Sequence, residues 1–345
     1  MHIALIRLTS LGDIILCMAS LQIIKRHLPE CSITWIADRK FADILDYNPH
    51  LANIIKVDFK GLKKNFSFHK LSFALRQIRE QGSFDRSIDL HGLLKSAIIT
   101  RLTSKNRYGL VPKQVKEPLA AAFYSKRYCV PTSLHAVARY TSLIARSLGF
   151  AFLEQELIDK KPYLYYASAD TKLTNEYFKN HNKNIILVPE TSRPYKNYPK
   201  VKFVEIANSL AENTLILHGS NRERQTAEYI AEKSPFATPL PRMNLNQLKA
   251  AISRADLVIG GDTGPTHIAW ANNIPSITLF GATPTNCIYE TPINKILRAV
   301  PISSRHQPEN RNSLMGSISE QAIVATAEKL LSRPPASQEA RYVPC

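Results

Sequence analysis

The sequence predicts an α/β protein with two domains, each built around a parallel β-sheet that is covered by helices on both faces. Apolar, β-branched runs typical of buried strands alternate with helical patterns along most of the chain. The alternation stops in an acidic, tyrosine-rich stretch around residues 152–172 and starts again at Asn184. A chain of 345 residues with 44% hydrophobic residues is long enough for two cores. We predict a first domain over residues 1–160, a linker over 161–172, a second domain over 173–330 and a tail over 331–345.

The first domain is predicted to begin with a βα unit. Met1–Leu8 is an aliphatic run typical of a buried strand, Thr9–Gly12 is a short turn, and the residues from Asp13 to His27 follow a helical pattern. Further strands and helical stretches of this domain are predicted at Ser32–Ala37, Phe41–Tyr47, Ile54–Val57, Arg86–Leu90 and Leu93–Leu102.

The second domain is predicted to repeat this pattern from Asn184–Pro189 onwards. Its further strands are predicted at Thr214–His218, Leu257–Gly260 and Ser276–Phe280, and its helices at 200–212, 222–233 and 245–254. Arg333, Pro334 and Pro335 interrupt any regular pattern near the end, so we expect the tail to be weakly packed.

The charge of the chain is unevenly distributed. Forty-five Lys and Arg against 28 Asp and Glu give a net charge of +17. Residues 1–150 hold 23 basic and 10 acidic residues, whereas the rest holds 22 and 18. We therefore expect the first domain to meet an anionic partner, which by charge alone is nucleic acid, an anionic membrane surface, or a phosphorylated or carboxylated substrate.

Several classes of protein are excluded or disfavoured. The five cysteines are scattered and odd in number, which favours reduced thiols over disulfides or a zinc site, so we expect no metal centre. The longest apolar run, Ile14–Ile24, is too short to cross a bilayer. No secretory signal precedes the first strand, so we expect a cytoplasmic protein. Neither a dinucleotide-binding glycine motif nor a P-loop is present.

Three turns between a strand and a helix are candidate sites, because ligands of parallel sheets bind beyond the carboxyl ends of the strands. The first turn ends in Asp13. The helix start favours its ionised form, and an ionised carboxylate can accept a proton from a sugar hydroxyl. The alternative is that Asp13 only caps the helix.

The second turn is Gly260–His267, which follows a strand and opens an apolar helix. Its glycines let the backbone approach a ligand closely, and the free N–H groups at a helix start favour an anion such as a diphosphate. Asp262 would repel a diphosphate, so we expect it to orient the backbone or to bind hydroxyls. The alternative is a turn shaped only for chain topology.

The third turn is Pro189–Pro199. Its Thr191 and Ser192 hydroxyls and the Lys196 ammonium suit a nucleotide-sugar diphosphate, because the cation offsets the charge that grows on the leaving group.

Taken together, the three turns and several further motifs resemble glycosyltransferase family 9, the ADP-heptose transferases of lipopolysaccharide core synthesis. The likeness spans about residues 1–300. The stretches that carry it are Arg7–Asp13, Asp89–Ala97, Lys116–Tyr124, His135–Val137, Lys196, Gly219–Glu223, Met243, Asp262–Gly264 and His267. Lys116 stands where Arg is usual in this family, and His91 stands where Gln is common.

The resemblance implies a GT-B architecture, in which two Rossmann-like doubly wound domains face an interdomain cleft. The first domain would bind the acceptor and the second the donor, ADP-heptose, with Asp13 as the catalytic base. Lys196 would hold the diphosphate as a second catalytic group, so that no metal or cofactor is required. The implied donor-binding residues are Thr191, Ser192, Lys196, Glu223 for the ribose, Met243 for the adenine, and Asp262, Thr263, Gly264 and His267.

On the acceptor side the resemblance implies Kdo-lipid A, whose carboxylates and phosphates would explain the basic first domain. The implied acceptor-binding residues are Ser10, Gly12, Lys60, Lys63, Lys64, Lys95, Lys116 and Arg139. The expected reaction is an inverting transfer of L-glycero-D-manno-heptose to a Kdo hydroxyl. The expected location is the cytoplasmic face of the inner membrane of a Gram-negative bacterium, with the enzyme bound peripherally to the inner-leaflet surface. The oligomeric state is left open.

Two alternatives to this function stay open. One is a core heptosyltransferase that adds to heptose instead of Kdo. The other is a basic nucleic-acid-binding module, although the chain has no zinc-finger spacing and no helix-turn-helix or RNP signature. We expect no nucleic-acid partner.

Overall fold

A computed structural model describes residues 1–58, 76, 83–281, 283–299, 314–333 and 342–343. Its residue contacts divide the chain into two units, with the division between Tyr163 and Leu164. The predicted basic positions Lys60, Lys63 and Lys64 lie outside the described residues.

The first unit holds a six-stranded sheet in the order β3-β2-β1-β4-β5-β6, and all of its pairs are parallel. Its strands are β1 (His2–Ile6), β2 (Ser32–Asp38), β3 (Asn53–Val57), β4 (Arg86–Asp89), β5 (Arg107–Leu110) and β6 (Lys126–Tyr128). Its helices are α1 (Leu11–Met18), α2 (Ser20–His27), α3 (Arg39–Ala42), α4 (Leu94–Thr103), α5 (Ala136–Leu148) and α6 (Gln155–Ile158), with 3₁₀ helices at Asp43–Leu45, Pro112–Gln114 and Pro118–Phe123.

The second unit holds another six-stranded parallel sheet, in the order β10-β9-β8-β11-β12-β13. Its strands are β7 (Tyr166–Ala167), β8 (Asn184–Val188), β9 (Asn213–Ile216), β10 (Ala237–Pro239), β11 (Leu257–Gly261), β12 (Ser276–Phe280), β13 (Asn294–Arg298) and β14 (Tyr342–Val343), of which β7 and β14 pair separately. Its helices are α7 (Lys200–Leu210), α8 (Asn221–Lys233), α9 (Leu245–Ser253), α10 (Gly264–Ala271) and α11 (Glu320–Leu331), with 3₁₀ helices at Ser168–Tyr177 and Pro194–Lys196.

Both sheets have the strand order of a doubly wound Rossmann-like fold, so the predicted class is confirmed. In such a sheet the order in which strands are added reverses beside the first strand, and ligands bind at this switch point, beyond the carboxyl ends of the two strands that flank it. The switch points lie between β1 and β4 in the first sheet and between β8 and β11 in the second. All three candidate turns therefore follow strands that flank a switch point.

The central strands are buried on both faces, as the continuous apolar runs predict. In β1, Ile3 to Ile6 are buried, and every residue of β8 is buried. The cores are closed by bulky side chains on the helices and strands, including Trp35 on β2 and Trp270 on α10, which are both fully buried. These cores fix the strands whose ends carry the candidate residues.

The predicted elements differ from the structure in a few places. The helix expected over Asp13–His27 is two helices, which meet at Ala19. The stretch predicted as a linker, 161–172, contains β7 and the start of a 3₁₀ helix. Residues 342–343 of the predicted tail pair with β7. Strands β5, β6, β10 and β13 and helices α5, α6 and α11 were not predicted. Each of these strands is short or solvent-accessible and lacks a long apolar run.

Candidate functional site

The first candidate site lies at the switch point of the first sheet and is built around Asp13. Ser10 is the N-cap of α1, and the side chain of Asp13, three residues later, forms a capping box with it. The Ser10 hydroxyl donates to Oδ2 of Asp13 over 2.8 Å, and the Ser10 amide donates to the same oxygen over 3.2 Å. Capping therefore holds the carboxylate at the turn.

A buried arginine forms an ion pair with the same carboxylate. Nη2 of Arg7, which follows β1, lies 2.8 Å from Oδ2 of Asp13. Nη1 of Arg7 donates to the carbonyl of Leu90, which follows β4, so the guanidinium bridges the two strands of the switch point. The Tyr140 hydroxyl of α5 donates to Oδ1 over 2.9 Å, and its ring lies beside the Arg7 guanidinium. The carboxylate is thus oriented by residues of three elements.

The two oxygens of Asp13 are not equivalent. Oδ2 accepts from Arg7 and twice from Ser10, which fills its lone pairs. Oδ1 accepts from Tyr140 alone among the described residues, which leaves it room for a further donor. Because the side chain is 30% exposed, Oδ1 is the oxygen that a substrate hydroxyl can approach.

The surroundings keep Asp13 ionised. Burial alone would raise its pKa, but the charge of Arg7 and the hydrogen bonds from Ser10 and Tyr140 outweigh burial and hold the pKa well below its ordinary value. The direction agrees with the effect expected from the helix start, but the main favourable cause is Arg7. At neutral pH the site presents a carboxylate with one accessible oxygen.

A pocket of about 130 Å³ is lined by Arg7 and Tyr140, the two partners of this carboxylate from outside its own turn, and by further cations. Arg7, His91, Lys116, Arg139 and Tyr140 are among its lining residues. Within the described part of the chain, Lys116 and Arg139 form no ion pair, and the buried Nε of Arg139 has no hydrogen-bond partner. The pocket can therefore receive an anionic group next to the Asp13 carboxylate.

The floor of this pocket is fixed by a buried aspartate at the end of β4. The Asp89 carboxylate accepts from the Tyr124 hydroxyl over 2.7 Å, the Ser96 hydroxyl over 2.9 Å, and the amides of His91 and Gly92 over 2.8 and 3.0 Å. Burial raises the pKa of Asp89 although these hydrogen bonds oppose the rise. Asp89 therefore organises the turn after β4 and is not itself offered to a ligand.

His91 is held neutral. Burial and the positive charges of Arg7, Lys95 and Lys116 lower its pKa to about 3. Its Nδ1 accepts from the Leu8 amide over 3.4 Å, so the ring links the turns that follow β1 and β4. His91 contributes a neutral polar wall to a pocket that Arg7, Lys116 and Arg139 also line.

The other predicted acceptor residues lie at the same edge of the first sheet. Gly12 is in the first turn of α1, and Lys95 is the second residue of α4, close enough for its charge to act on His91. Lys116 follows β5, and Arg139 lies on α5. The structure therefore brings Ser10, Gly12, Lys95, Lys116 and Arg139 to one edge.

The second candidate site lies at the switch point of the second sheet and centres on Asp262. The Lys196 ammonium donates to Oδ2 of Asp262, and Nε2 of His267 lies 3.1 Å from Oδ1. Burial would raise the pKa of Asp262, but the hydrogen bonds and charges of His267 and Lys196 hold the pKa well below its ordinary value. Lys196, predicted as a cation for a diphosphate, is therefore neutralised by Asp262 in this structure.

The loop that carries Lys196 lies directly against the end of β11. A Cβ on Gly261 would be 2.9 Å from the Lys196 carbonyl oxygen and 3.1 Å from Cγ2 of Thr191, so only glycine permits this approach. The Thr191 hydroxyl donates within its own loop, to the Arg193 carbonyl over 2.8 Å and to the Asn197 amide oxygen over 3.0 Å. Ser192 is exposed beside it.

The start of α10 completes this site. Thr263 is the N-cap, and Gly264 is the first helical residue. The Thr266 hydroxyl donates to the carbonyls of Gly261 and Thr263 over 2.9 and 2.8 Å, which fixes the turn. The thiol of Cys287 lies 3.7 Å from Oδ1 of Asp262, and burial together with the charge of Asp262 raises the pKa of Cys287 to about 12.

Glu223 and Met243 lie further along the same edge of the second sheet. Glu223 is in the first turn of α8, after β9, and Oε2 accepts from the Gly219 amide. Met243 is half-buried after β10. In the strand order, β9 and β10 are two and three strands from β11, so the predicted donor residues follow neighbouring strands along one edge.

Four residues that the structure places at these sites had no role assigned from the sequence, although Arg7 and His91 lie in stretches that carry the family resemblance. Arg7 and Tyr140 orient Asp13, His91 links two turns, and Cys287 contacts Asp262. Arg7 carried a usable signal, since it is a charged residue directly after a buried strand. Tyr140 carried none, because α5 was not predicted.

No described group of three or more His, Cys, Asp and Glu side chains is arranged to hold a metal ion. Every helix within the described ranges is too short or too polar to span a bilayer.

Two Rossmann-like sheets, each with a candidate site at its switch point, are the fold that GT-B glycosyltransferases have. Residues 72–317 match the family model of "Glycosyltransferase family 9 (heptosyltransferase)", which covers well over half of the chain. The chain therefore belongs to glycosyltransferase family 9 and is a heptosyltransferase. The prediction of an enzyme is confirmed, and the alternative of a nucleic-acid-binding module is set aside.

Similar proteins support this family. Lipopolysaccharide heptosyltransferase 1 of Campylobacter coli is 29% identical, over 96% of this chain and 99% of that protein. The protein of the same name from Escherichia coli K12 is 27% identical, over 84% and 90%. The solved structure of E. coli heptosyltransferase WaaC with ADP-2-deoxy-2-fluoro heptose has a TM-score of 0.76 at 24% identity and covers 95% of this chain and 99% of that chain. This last likeness bears on the fold alone.

Proposed function

We propose that this enzyme is a heptosyltransferase I of lipopolysaccharide core synthesis, which transfers L-glycero-D-manno-heptose from ADP-heptose to a Kdo hydroxyl of Kdo-lipid A. The proteins named lipopolysaccharide heptosyltransferase 1 in two bacteria support the reaction class. The heptose analogue bound by WaaC supports ADP-heptose as the donor. The observation that carries the proposal is an ionised Asp13, with one accessible oxygen, beside a cationic pocket.

In the proposed reaction Asp13 is the general base. A Kdo hydroxyl donates its hydrogen bond to Oδ1 and attacks the anomeric carbon of the donor from the face opposite ADP. The new C–O bond forms as the bond to the diphosphate oxygen breaks, ADP leaves with the electron pair, and the hydroxyl proton goes to Asp13. Attack from the opposite face inverts the anomeric configuration.

The leaving diphosphate is stabilised on the second unit in this proposal. Lys196 turns from Asp262 to the diphosphate, and the first amides of α10 add the positive end of a helix. Asp262 and His267 then face the sugar hydroxyls, Glu223 the ribose and Met243 the adenine. These groups supply the charge compensation that a divalent cation provides in other transferases, so the proposal includes neither a metal nor a cofactor.

The pocket beside Asp13 receives an acidic group of the acceptor. Lys116 and Arg139 line it, and neither is ion-paired among the described residues, so both are available to a carboxylate or phosphate. Lys95 extends the positive surface along the same edge, and Lys60, Lys63 and Lys64 are proposed to add to it. Because this acceptor is anchored in a membrane, we propose that the enzyme works at the cytoplasmic face of the inner membrane.

The direct test is a transfer assay with ADP-heptose and Kdo-lipid A, comparing the wild type with Asp13→Asn. Loss of a general base typically lowers kcat by about 10²- to 10⁴-fold, and we expect a fall in this range with ADP affinity unchanged. Asp159→Asn changes an exposed carboxylate of the same unit and is the control. Wild-type transfer to a heptosylated core but not to Kdo-lipid A would reassign the enzyme to a later core step. An Asp13→Asn variant that keeps more than about a tenth of the turnover would refute the base.

The donor is tested separately by thermal unfolding with ADP, UDP, GDP and CMP. A ligand that binds only the folded state raises the melting temperature in proportion to its affinity. We expect ADP alone to stabilise the protein, and equal stabilisation by UDP or GDP would contradict the proposed donor.

A further inference from the structure

The first unit carries an exposed apolar face that lies outside the two candidate sites. Helix α4 packs on the 3₁₀ helix Pro118–Phe123 through Ala97, Ala120, Ala121 and Tyr124, which are buried together. Ile98 follows Ala97 and is 45% exposed, and Leu119 precedes Ala120 and is 71% exposed. Both apolar side chains therefore border the same helix contact and point to solvent.

Half-buried apolar residues extend this face. Leu94, Ile98 and Leu102 recur every four residues on α4 and are all solvent-accessible, so they form one stripe along the helix. Phe123 packs partly against the same buried cluster. We call Leu94, Ile98, Leu102, Leu119 and Phe123 the α4 face. Exposed large apolar residues next to one another are uncommon on a soluble surface unless something covers them.

The charges around the α4 face identify what covers it. From Leu94 to Tyr128 the chain has eight Lys and Arg residues and a single acidic residue, Glu117, whereas the rest of the chain has 37 and 27. Glu117 is engaged by the Leu94 amide over 2.6 Å. Among the described residues, Arg101, Lys105, Lys113 and Arg127 are exposed and form no ion pair. These cations are available to an external anion.

At the far end of α4 a further cation, Arg107, is held beside the apolar residue Phe123. Nε of Arg107 donates to the Phe123 carbonyl over 2.7 Å. The charge of Arg101 acts on Arg107, whose pKa is lowered by partial burial and by that charge. At the other end, Lys95 and Lys116 lie near the acceptor pocket. The α4 face is thus rimmed by cations at both ends, and one end leads to the pocket.

We propose that the α4 face is the membrane-docking surface of the enzyme, and that its occupant is the headgroup layer of an anionic phospholipid bilayer. Leu119 and Ile98 insert below the headgroups, while Arg101, Lys105 and Arg127 bind the lipid phosphates. This inference rests on the proposed lipid-anchored acceptor. It explains why an apolar face with cations at both ends extends along α4 from the acceptor pocket towards the opposite edge of the sheet.

The test is sedimentation of the purified full chain with phosphatidylcholine vesicles that contain 30% phosphatidylglycerol, without donor or acceptor. We expect the wild type to bind these vesicles and not pure phosphatidylcholine. The variant Ile98→Ser/Leu119→Ser should bind about tenfold more weakly, because each substitution removes the free energy gained when an apolar side chain moves from water into the bilayer. The control is Leu153→Ser, because Leu153 is 72% exposed on the same unit and lies outside the α4 face.

The electrostatic part is tested with Arg101→Gln/Lys105→Gln. Each basic residue at an anionic leaflet contributes a factor of about five, so two should contribute about 25-fold. The control is Arg39→Gln/Lys40→Gln, which removes two exposed cations of α3. Because the variants replace exposed residues, melting temperatures should stay close to that of the wild type.

Three results would overturn the proposal: a wild type that does not bind anionic vesicles, apolar or charge variants that bind like their controls, and a wild-type dimer that Leu119→Ser converts to a monomer. The last result would show that a second copy covers the face. Vesicles without acceptor also separate this inference from the proposed function. Heptose transfer to a delipidated Kdo acceptor, with vesicle binding absent, would overturn the surface and leave the function intact.

Discussion

Asp13 and Asp262 are both ionised carboxylates at a switch point, yet their surroundings suit them to different tasks. The partner of Asp13 is a buried guanidinium that is also bound to the Leu90 carbonyl, so the cation cannot leave and Oδ1 stays accessible. The partner of Asp262 is Lys196, a flexible ammonium on a loop, and His267 engages the other oxygen. The first arrangement keeps Asp13 available as a base. In the second, Lys196 is bound to Asp262 but can move to an anion that binds it more strongly, such as a diphosphate.

The role of Arg7 is tested through the pH dependence of transfer. In Arg7→Gln the main cause that lowers the pKa of Asp13 is lost, and burial then dominates. A neighbouring Arg typically lowers the pKa of an Asp by about 1–3 units, so losing Arg7 should raise the pKa of Asp13 and move the acid limb of the kcat/KM profile to higher pH than in the wild type.

Arg7→Lys is the matched control, because it keeps a buried cation beside Asp13. Its profile should stay flat down to about pH 5, even if kcat falls from the loss of the planar contact to Leu90. If Arg7→Gln and Arg7→Lys gave profiles of the same shape, the charge of Arg7 would not be what keeps Asp13 ionised.

The competition between Asp262 and the diphosphate for Lys196 is tested with Asp262→Asn. Removing this charge frees Lys196 and removes repulsion of the diphosphate, which in water is worth about 1 kcal/mol for two unit charges 4 Å apart. We expect ADP to bind about fivefold more tightly by calorimetry, and the preference for ADP-heptose over ADP to shrink.

Asp256→Asn is the control for this change, because Asp256 precedes β11 and therefore lies at the opposite edge of the same sheet. Weaker ADP binding in Asp262→Asn than in Asp256→Asn would mean that Asp262 positions Lys196 for the diphosphate and does not compete with it.

At the scale of elements, each site depends on how closely one turn approaches another. In the second sheet the loop before α7 lies against Gly261, and Gly260 lies against the side chain of Val188. The two adjacent glycines serve different contacts, because a Cβ on Gly261 would meet the Lys196 carbonyl while a Cβ on Gly260 would be 2.6 Å from Cβ of Val188. Only the first contact sets the position of a candidate ligand-binding residue.

Gly261→Ala should therefore impair the site more than Gly260→Ala, although both should lower the melting temperature. Misplacing a positioning group by about 1 Å can cost about 100-fold in rate, and we expect at least a tenfold loss of kcat in Gly261→Ala. The measurement is transfer kinetics at a temperature where both variants are folded. Equal losses in the two variants would attribute the effect to the sheet and not to the Lys196 loop.

The strands were predictable because buried parallel strands are continuous apolar runs, and the predicted and observed bounds of β12 coincide at Ser276 and Phe280. The edge strands β6 and β10 were not, since Lys126–Tyr128 and Ala237–Pro239 are three residues long and partly exposed. Asp13, Lys196 and Asp262 could be predicted for the same reason, because each lies in a turn that directly follows such an apolar run. Tyr140 was missed because its contact with Asp13 spans 127 positions, and no local pattern encodes such a pairing.

At the scale of the whole molecule, the surplus of cations in the first unit affects how its stability depends on pH, because some of these cations lie close to a buried histidine. This histidine is His91, whose pKa is lowered to about 3 by burial and by neighbouring cations. Its ordinary value of about 6.5 applies once the chain unfolds. Folding therefore suppresses protonation at this position, and the cationic pocket costs stability as the pH falls.

The sign and size of this effect can be worked out. Between pH 6.5 and about 3 the unfolded state binds one more proton at His91 than the folded state does, so stability is lost as the pH falls through this range. From pH 7 to pH 5 the loss is about 2 kcal/mol, since one pKa unit corresponds to about 1.36 kcal/mol. His91→Gln removes this proton site, so its unfolding free energy should change by about 2 kcal/mol less over the same interval.

The measurement is urea unfolding at pH 7 and pH 5, followed by tryptophan fluorescence. The chain has two tryptophans, Trp35 in the first unit and Trp270 in the second, so a Trp270→Phe background reports on the unit that contains His91. His27→Gln in the same background is the control, because His27 is exposed on α2. If His91→Gln and His27→Gln lost the same stability between the two pH values, His91 would be free to take up a proton in the folded state, and the cationic pocket would not hold it neutral.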